Sequence, residues 1–193
     1  MESVDSFSEP CGFGTWSIPL EPVPDTMSDI DPITSRFALI GLITVFWAKL
    51  EGAIDVCNHL AFEHGGSRFE KNLPKSMSRK LKYMRLCHNK LPALHDAKDR
   101  AGALIDTIHA LRERRNDLIH GVAMIFPTGD LLHIFKLSHG ENGLLVGTAS
   151  ITNDALRTLF LEIVRVFNLA EDHVLAVSDA FLGQSAKNQD GAL

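Results

Sequence analysis

The residues best equipped for chemistry fall in one run, Arg112-Glu113-Arg114-Arg115-Asn116-Asp117-Leu118-Ile119-His120-Gly121. At about 100° per residue on a helix, Arg112, Asn116 and His120 stack on one face, while Arg115 falls in line with the apolar positions Ile108 and Leu111. A guanidinium on an inward stripe is costly unless paired or hydrogen-bonded. Arg115 therefore needs a partner across the core or must point into a wet cleft or an interface. Its planar fork of donors matches a phosphate, and Asn116 can position either a phosphate or the histidine. Imidazoles titrate near neutrality, which makes His120 the natural proton donor and acceptor of the set. Arg112 or Arg114 adds grip on an anionic substrate. A purely structural role fits the same residues: Arg115 and Asn116 would tie the helix to the following strands, and His120 would bond the chain reversal at Gly121.

These side chains have to be held by a mostly helical domain. Of 193 residues, 45% are hydrophobic and 22% charged, the proportions of an ordinary folded protein, which excludes a disordered, collagenous or coiled-coil chain. Residues 1–32 hold prolines at 10, 19, 22, 24 and 32, seven acids and no base, and read as an acidic arm, flexible or loosely docked. A long helix is expected over 33–64, with apolar residues at 37, 40, 43, 47, 50, 54, 57 and 61 and Gly65-Gly66 as its stop. Its first half is apolar nearly all round and should be buried on more than one side, at the centre of a bundle or between two copies.

A basic helix over 75–90 turns Met77, Leu81, Met84 and Cys87 or His88 inward, and Arg79, Lys80, Lys82, Arg85 and Lys90 outward. A third helix runs from Pro92 to His120 and is closed by Gly121. Apolar runs at 122–126, 131–137 and 144–148, separated by turn residues, make a small antiparallel meander at about 122–149. Thr152 caps a last helix that ends at Gly183, leaving 185–193 as a frayed tail.

Charge is segregated along this order. The net charge is −5, yet residues 68–115 hold thirteen of the nineteen Lys and Arg against five acids, a surplus of eight. Such a region draws polyanions over about 8 Å at physiological salt. The plainer reading is that it solvates the outer faces of two helices.

An arginine followed by a polar residue and, four intervening residues in all, by a histidine near a helix end is the signature of HEPN domains. Arg115-Asn116-Asp117-Leu118-Ile119-His120 resembles that motif, and the order of long helices over about residues 33–184 is similar to HEPN bundles. The resemblance implies a mainly α fold, a HEPN-like antiparallel helical bundle with a small antiparallel β-meander inserted after the third helix. It also implies two copies pairing through the motif-bearing helices and, in active members, a metal-independent endoribonuclease in which the 2′-OH of RNA attacks the neighbouring phosphate. On this chain the catalytic set would be Arg115, Asn116 and His120, with Arg112, Arg114, Arg79, Lys82 and Arg85 as RNA contacts and no metal or cofactor. A toxin or defence setting, with room for an inhibitory protein partner, comes with it. The alternative is a noncatalytic HEPN-like RNA- or protein-binding module, antitoxin-like or regulatory. Toxins of the family that are silenced by a nucleotidyltransferase carry a tyrosine two residues after the motif histidine; Val122 stands there, so that control is not expected.

Other constellations are weaker. Cys11, Cys57 and Cys87 are odd in number and far apart, which suits a reducing compartment rather than a disulfide framework. The strongly apolar stretch 37–48 is short of the roughly 20 residues a membrane helix needs, and no basic start or apolar centre of a secretory signal is evident, so a cytoplasmic protein with no membrane partner is expected. Cys57, His59 and His64 are spaced too unevenly on a helix to converge on a metal. No glycine-rich phosphate loop or nucleophile elbow is present.

Overall fold

The computed structural model describes the backbone of residues 32–120, 122–125, 131–140 and 143–190. The acidic arm, Gly121 and residues 191–193 lie outside that set. Four helices, α1 (Pro32–Glu63), α2 (Met77–Lys90), α3 (Lys98–His120) and α4 (Asn153–Asp190), account for most of it, and three strands, β1 (Val122–Ile125), β2 (Leu131–Gly140) and β3 (Gly143–Thr152), stand between α3 and α4. The fold is mainly α with a small antiparallel sheet.

The apolar spacing of α1 does what its period dictates. Ile43, Trp47, Leu50, Ile54, Cys57 and Ala61 are all buried. Gly65 ends the helix with φ 105°, a left-handed conformation glycine takes without strain. Gly66 must also lack a side chain, because a Cβ there would run into the Tyr83 hydroxyl and the Ala61 carbonyl. Phe37 departs from the expected stripe: it is 54% exposed. The first half of α1 is therefore not enclosed on several sides within one protomer, since Gly41, Leu42, Val45 and Ala48 also face outward.

The helices are not uniformly antiparallel. Near the start of α1, Arg36 Nε donates to Asn153 Oδ1 at 2.9 Å. Further along, Phe46 meets Phe160 and Phe167 edge-on, and His64, just past its end, stacks on Phe181. Contact partners thus advance together along both helices, so α1 and α4 run parallel, contrary to the all-antiparallel expectation. Helix α3 does run against its neighbours: Ser78 and Arg85 of α2 meet Arg112 and Asp106 in reverse order, as Glu162 and Asp172 of α4 meet Arg114 and Arg100. The physical reason lies in the connections. The segment 64–76 is long enough to carry the chain back along α1 before α2 begins, whereas the three-strand excursion leaves and returns at the same end, so that α4 runs against α3.

Pro92–Ala97 forms a separate 3₁₀ segment ahead of α3 rather than its first turns. The sheet has strand order β1-β2-β3, with Val122 opposite Phe135, Leu131 opposite Thr152 and Gly140 opposite Gly143. Leu132 and Ile134 are fully buried, while His133 between them meets Ser150 Oγ at 2.9 Å, the alternation of a one-faced strand. The Thr152 hydroxyl accepts from the Ala155 N–H at 3.1 Å and caps α4 as expected. Helix α4 then continues through Gly183 to Asp190.

Candidate functional site

The last three turns of α3 carry the motif, and each side chain takes its environment from the helix it faces. Leu111 and Leu118 are buried and fix the orientation of α3 against the core. With those two inward, Arg115 is drawn toward α1. Its guanidinium carbon lies 5.6 Å from the centre of the Trp47 ring, a cation–π distance. One terminal nitrogen, Nη1, donates to Asn116 Oδ1 at 3.3 Å. The Nε–H is buried without a partner. Burial holds the guanidinium below its ordinary basicity, and the negative charge of Glu51 works against that shift. No carboxylate lies within ion-pair distance of Arg115 among the described residues.

His120 ends α3 and is exposed; Asn116, one turn earlier, is half-buried. Arg115, Asn116 and His120 are therefore positioned as the spacing predicts, with the arginine leaning inward and the histidine open to solvent. Arg112, expected as an RNA contact, meets partners within the protomer. It is tied to Ser78 Oγ in the first turn of α2 and, at 2.8 Å, to Glu113, and only 24% of its side chain is exposed, so it fastens α3 to α2. Arg114 pairs with Glu162 of α4.

The outlying cations are scattered. Arg85 pairs with Asp106 on the α2–α3 seam, and Arg79 turns to Glu70, 3.9 Å away in the loop before α2. Lys82 is exposed. Four of the five residues expected to touch RNA thus meet an acid of their own protomer. Such half-exposed pairs are worth little, so a polyanion could compete for them.

Lys80 corrects the sequence reading outright. Expected on the outer face of α2, it is buried, with its Nζ donating to Glu51 Oε1 and to Asp55 Oδ2, each at 2.8 Å. Burial works to lower its pKa, but the bonds and charges of Asp55 and Glu51 outweigh it and leave the ammonium more basic than usual. Asn58 Nδ2 donates to the Lys80 carbonyl at 3.1 Å and locks the same turn.

A buried imidazole pair escaped the sequence reading. His88 of α2 and His173 of α4 are almost fully buried, with their Nε2 atoms 3.0 Å apart. His88 Nδ1 donates to the Met84 carbonyl at 2.8 Å, which leaves its Nε2 as acceptor for the Nε2–H of His173. His173 Nδ1 then has no partner. Burial, reinforced by His88 and the charge of Arg100, pushes His173 down to about 4, and burial lowers His88 as well, against its bond to Met84. The signal was there: His173 continues the inward series Val166, Ala170, Val177 at helical spacing.

Cys57 is buried, its thiol pushed up to about 12 by burial, and His59 is exposed, so the two do not act together. Among the described residues no three His, Cys, Asp or Glu side chains converge as a metal cluster. Surface hollows open between the Pro92–Ala97 segment and α4 and beside Asp55, His59 and Pro74; neither includes a motif residue. Compared with protein-family models, with curated proteins and with solved structures, the chain matches none.

Proposed function

We propose that the protein is a HEPN-like endoribonuclease that needs no metal, with the end of α3 as its site. The observation that carries the reading is the state of Arg115: a half-buried guanidinium held over Trp47 without a carboxylate, five residues before an exposed histidine. Desolvated positive charge without an internal counter-ion is suited to an anion from outside. Because Nε faces the interior, the terminal nitrogens are the ones left for a phosphate.

In this reading His120 takes the proton of the ribose 2′-OH and returns one to the leaving 5′-oxygen, so that the 2′-oxygen forms its bond to phosphorus as the 5′-ester bond breaks. Arg115 carries the charge that grows on the phosphorane oxygens, and Asn116, bonded to it, keeps the fork in place. RNA is the partner, and pairing of two copies along the motif-bearing helices belongs to the same proposal, as does a toxin or defence role.

Incubation of the purified chain with mixed RNA in EDTA tests the proposal. Cleavage lost in His120→Ala, with folding intact by circular dichroism, is the expected result. No cleavage by the unmodified chain, or cleavage that survives His120→Ala, overturns it. Salt-sensitive RNA binding without product would assign the surface to binding alone.

A further inference from the structure

Apart from Asp55, in line with Phe37, the outward face of α1 is apolar for about five turns. Phe37, Gly41, Val45, Ala48, Gly52 and Val56 lie within about 100° of one another around the helix and are all exposed, Phe37 by 54% and Val45 by 52%. Mid-helix glycine costs about 1 kcal/mol relative to alanine. Nothing in the protomer asks for it, since a Cβ on Gly41 or Gly52 would meet no atom within 4 Å. The spacing of the six residues is the same read from either end: four, four, three, four, four.

We infer that this face pairs with the same face of a second copy, the two α1 helices antiparallel about a two-fold axis that passes between residues 46 and 47. That register sets Phe37 against the other copy's Val56, Gly41 against its Gly52 and Val45 against its Ala48. Phe37 meets the smaller Val56 at each end, glycine meets glycine one step inward, and Val45 meets Ala48 beside the axis. A two-fold contact needs a self-complementary surface, which this symmetric spacing supplies. A strip about 30 Å long and 10 Å wide on each copy, with its rims, buries on the order of 1,000 Å² in total, the lower bound of a specific interface.

Charge decides against a lipid surface as the occupant. Thr34–Glu63 is long and apolar enough to cross a membrane by length and composition. Yet its inner face is the protein core, and the outer strip has the exposed carboxylate of Asp55 in line with Phe37, Glu51 at one border and Lys49 at the other, not the lysine and arginine rims of an interfacial helix. The inference goes beyond the proposed nuclease: it names a surface other than the motif-bearing helices and holds whether or not RNA is cut. Arg115, which rests on the buried Trp47, lies on the opposite side of α1 from this axis.

Sedimentation equilibrium of the full chain from low to high micromolar concentration tests it. The mass should rise from one copy to two. Val45→Glu, which is exposed in the protomer, should raise the dissociation constant at least about tenfold. Gly41→Leu should do the same by blocking close approach, and neither variant should lower the melting temperature of the monomer. A chain monomeric throughout, or a dimer indifferent to both changes, overturns the inference. So does binding to phosphatidylcholine or phosphatidylserine vesicles that Val45→Glu abolishes while no dimer forms. A dimer indifferent to both changes is the result expected of pairing through the motif-bearing helices alone, and RNA cleavage is read separately from mass, so failure of this inference is distinguishable from failure of the nuclease proposal.

Discussion

Two cations reach toward the interior from neighbouring helices, and the fold treats them in opposite ways. Lys80 is enclosed by two carboxylates at 2.8 Å and ends more basic than a free lysine. Arg115, which feels the charge of the same Glu51, has an aromatic ring, one amide oxygen at 3.3 Å and a stranded Nε–H, and ends less basic than a free arginine. Satisfied charge is what a protein keeps for architecture. Charge left short of partners raises the energy of the free protein and is relieved by a bound anion. Burial is common to the two cations; the inventory of their partners differs, and the proposed role of Arg115 rests on that difference.

The comparison breaks most visibly in activity. Arg115→Ala and His120→Ala should each lower RNA cleavage at least about 100-fold while urea unfolding shows little change in stability. An Arg115→Ala protein that melts early yet cuts normally would reverse the roles assigned to the two cations. Next in size, Lys80→Ala should cost about 2 kcal/mol of unfolding free energy, less than a fully enclosed pair because Glu51 and Asp55 keep contact with water. Its cleavage per folded molecule should be unchanged.

The buried imidazoles extend the comparison to neutral groups. Their folded-state pKa values lie below the ordinary 6.5, with His173 at about 4, so the unfolded chain binds more protons throughout that interval. Stability contributed by the neutral pair is present above about pH 6.5 and is lost as the pH falls toward 4. The facing charge that modulates it is Arg100 of α3, which lies 3.8 Å from Asp172 of α4. Urea midpoints measured from pH 7 to 4 should fall, and His173→Phe should flatten that slope; an unchanged slope would mean that other groups set it. The smallest effect belongs to the outlying surface pairs. Arg79→Ala should weaken RNA binding by about twofold or less, against a larger loss for Arg115→Ala, when affinities are compared across a salt series.

Much of the fold was legible from spacing. The stripes of α1, α3 and α4, the Thr152 cap, the Gly65 stop and the meander follow from helical and two-residue periods that depend on local geometry alone. Direction was not legible. Whether α1 and α4 lie parallel depends on the return of the chain along α1 through the 64–76 segment, and no local period encodes it. Lys80 was misplaced for a related reason: its wheel position borders the buried face, and only the approach of Glu51 and Asp55 from α1 turns it inward. At the site, the motif and the inward lean of Arg115 were readable in the stripe shared with Ile108 and Leu111. The diversion of Arg112 to Ser78 was not, because it requires knowing which helix lies alongside.

The parallel pairing of the first and last helices has a consequence for how the chain comes into being. Helix α1 leaves the ribosome with its most extensive neighbour, α4, still unmade, and the whole stretch from α2 to β3 must be synthesised between them. Contacts of such long sequence separation form late and slow folding. Until the C-terminal helix arrives, the nascent protein presents a long greasy rod to the cell, and anything that halts translation before Asn153 leaves it that way.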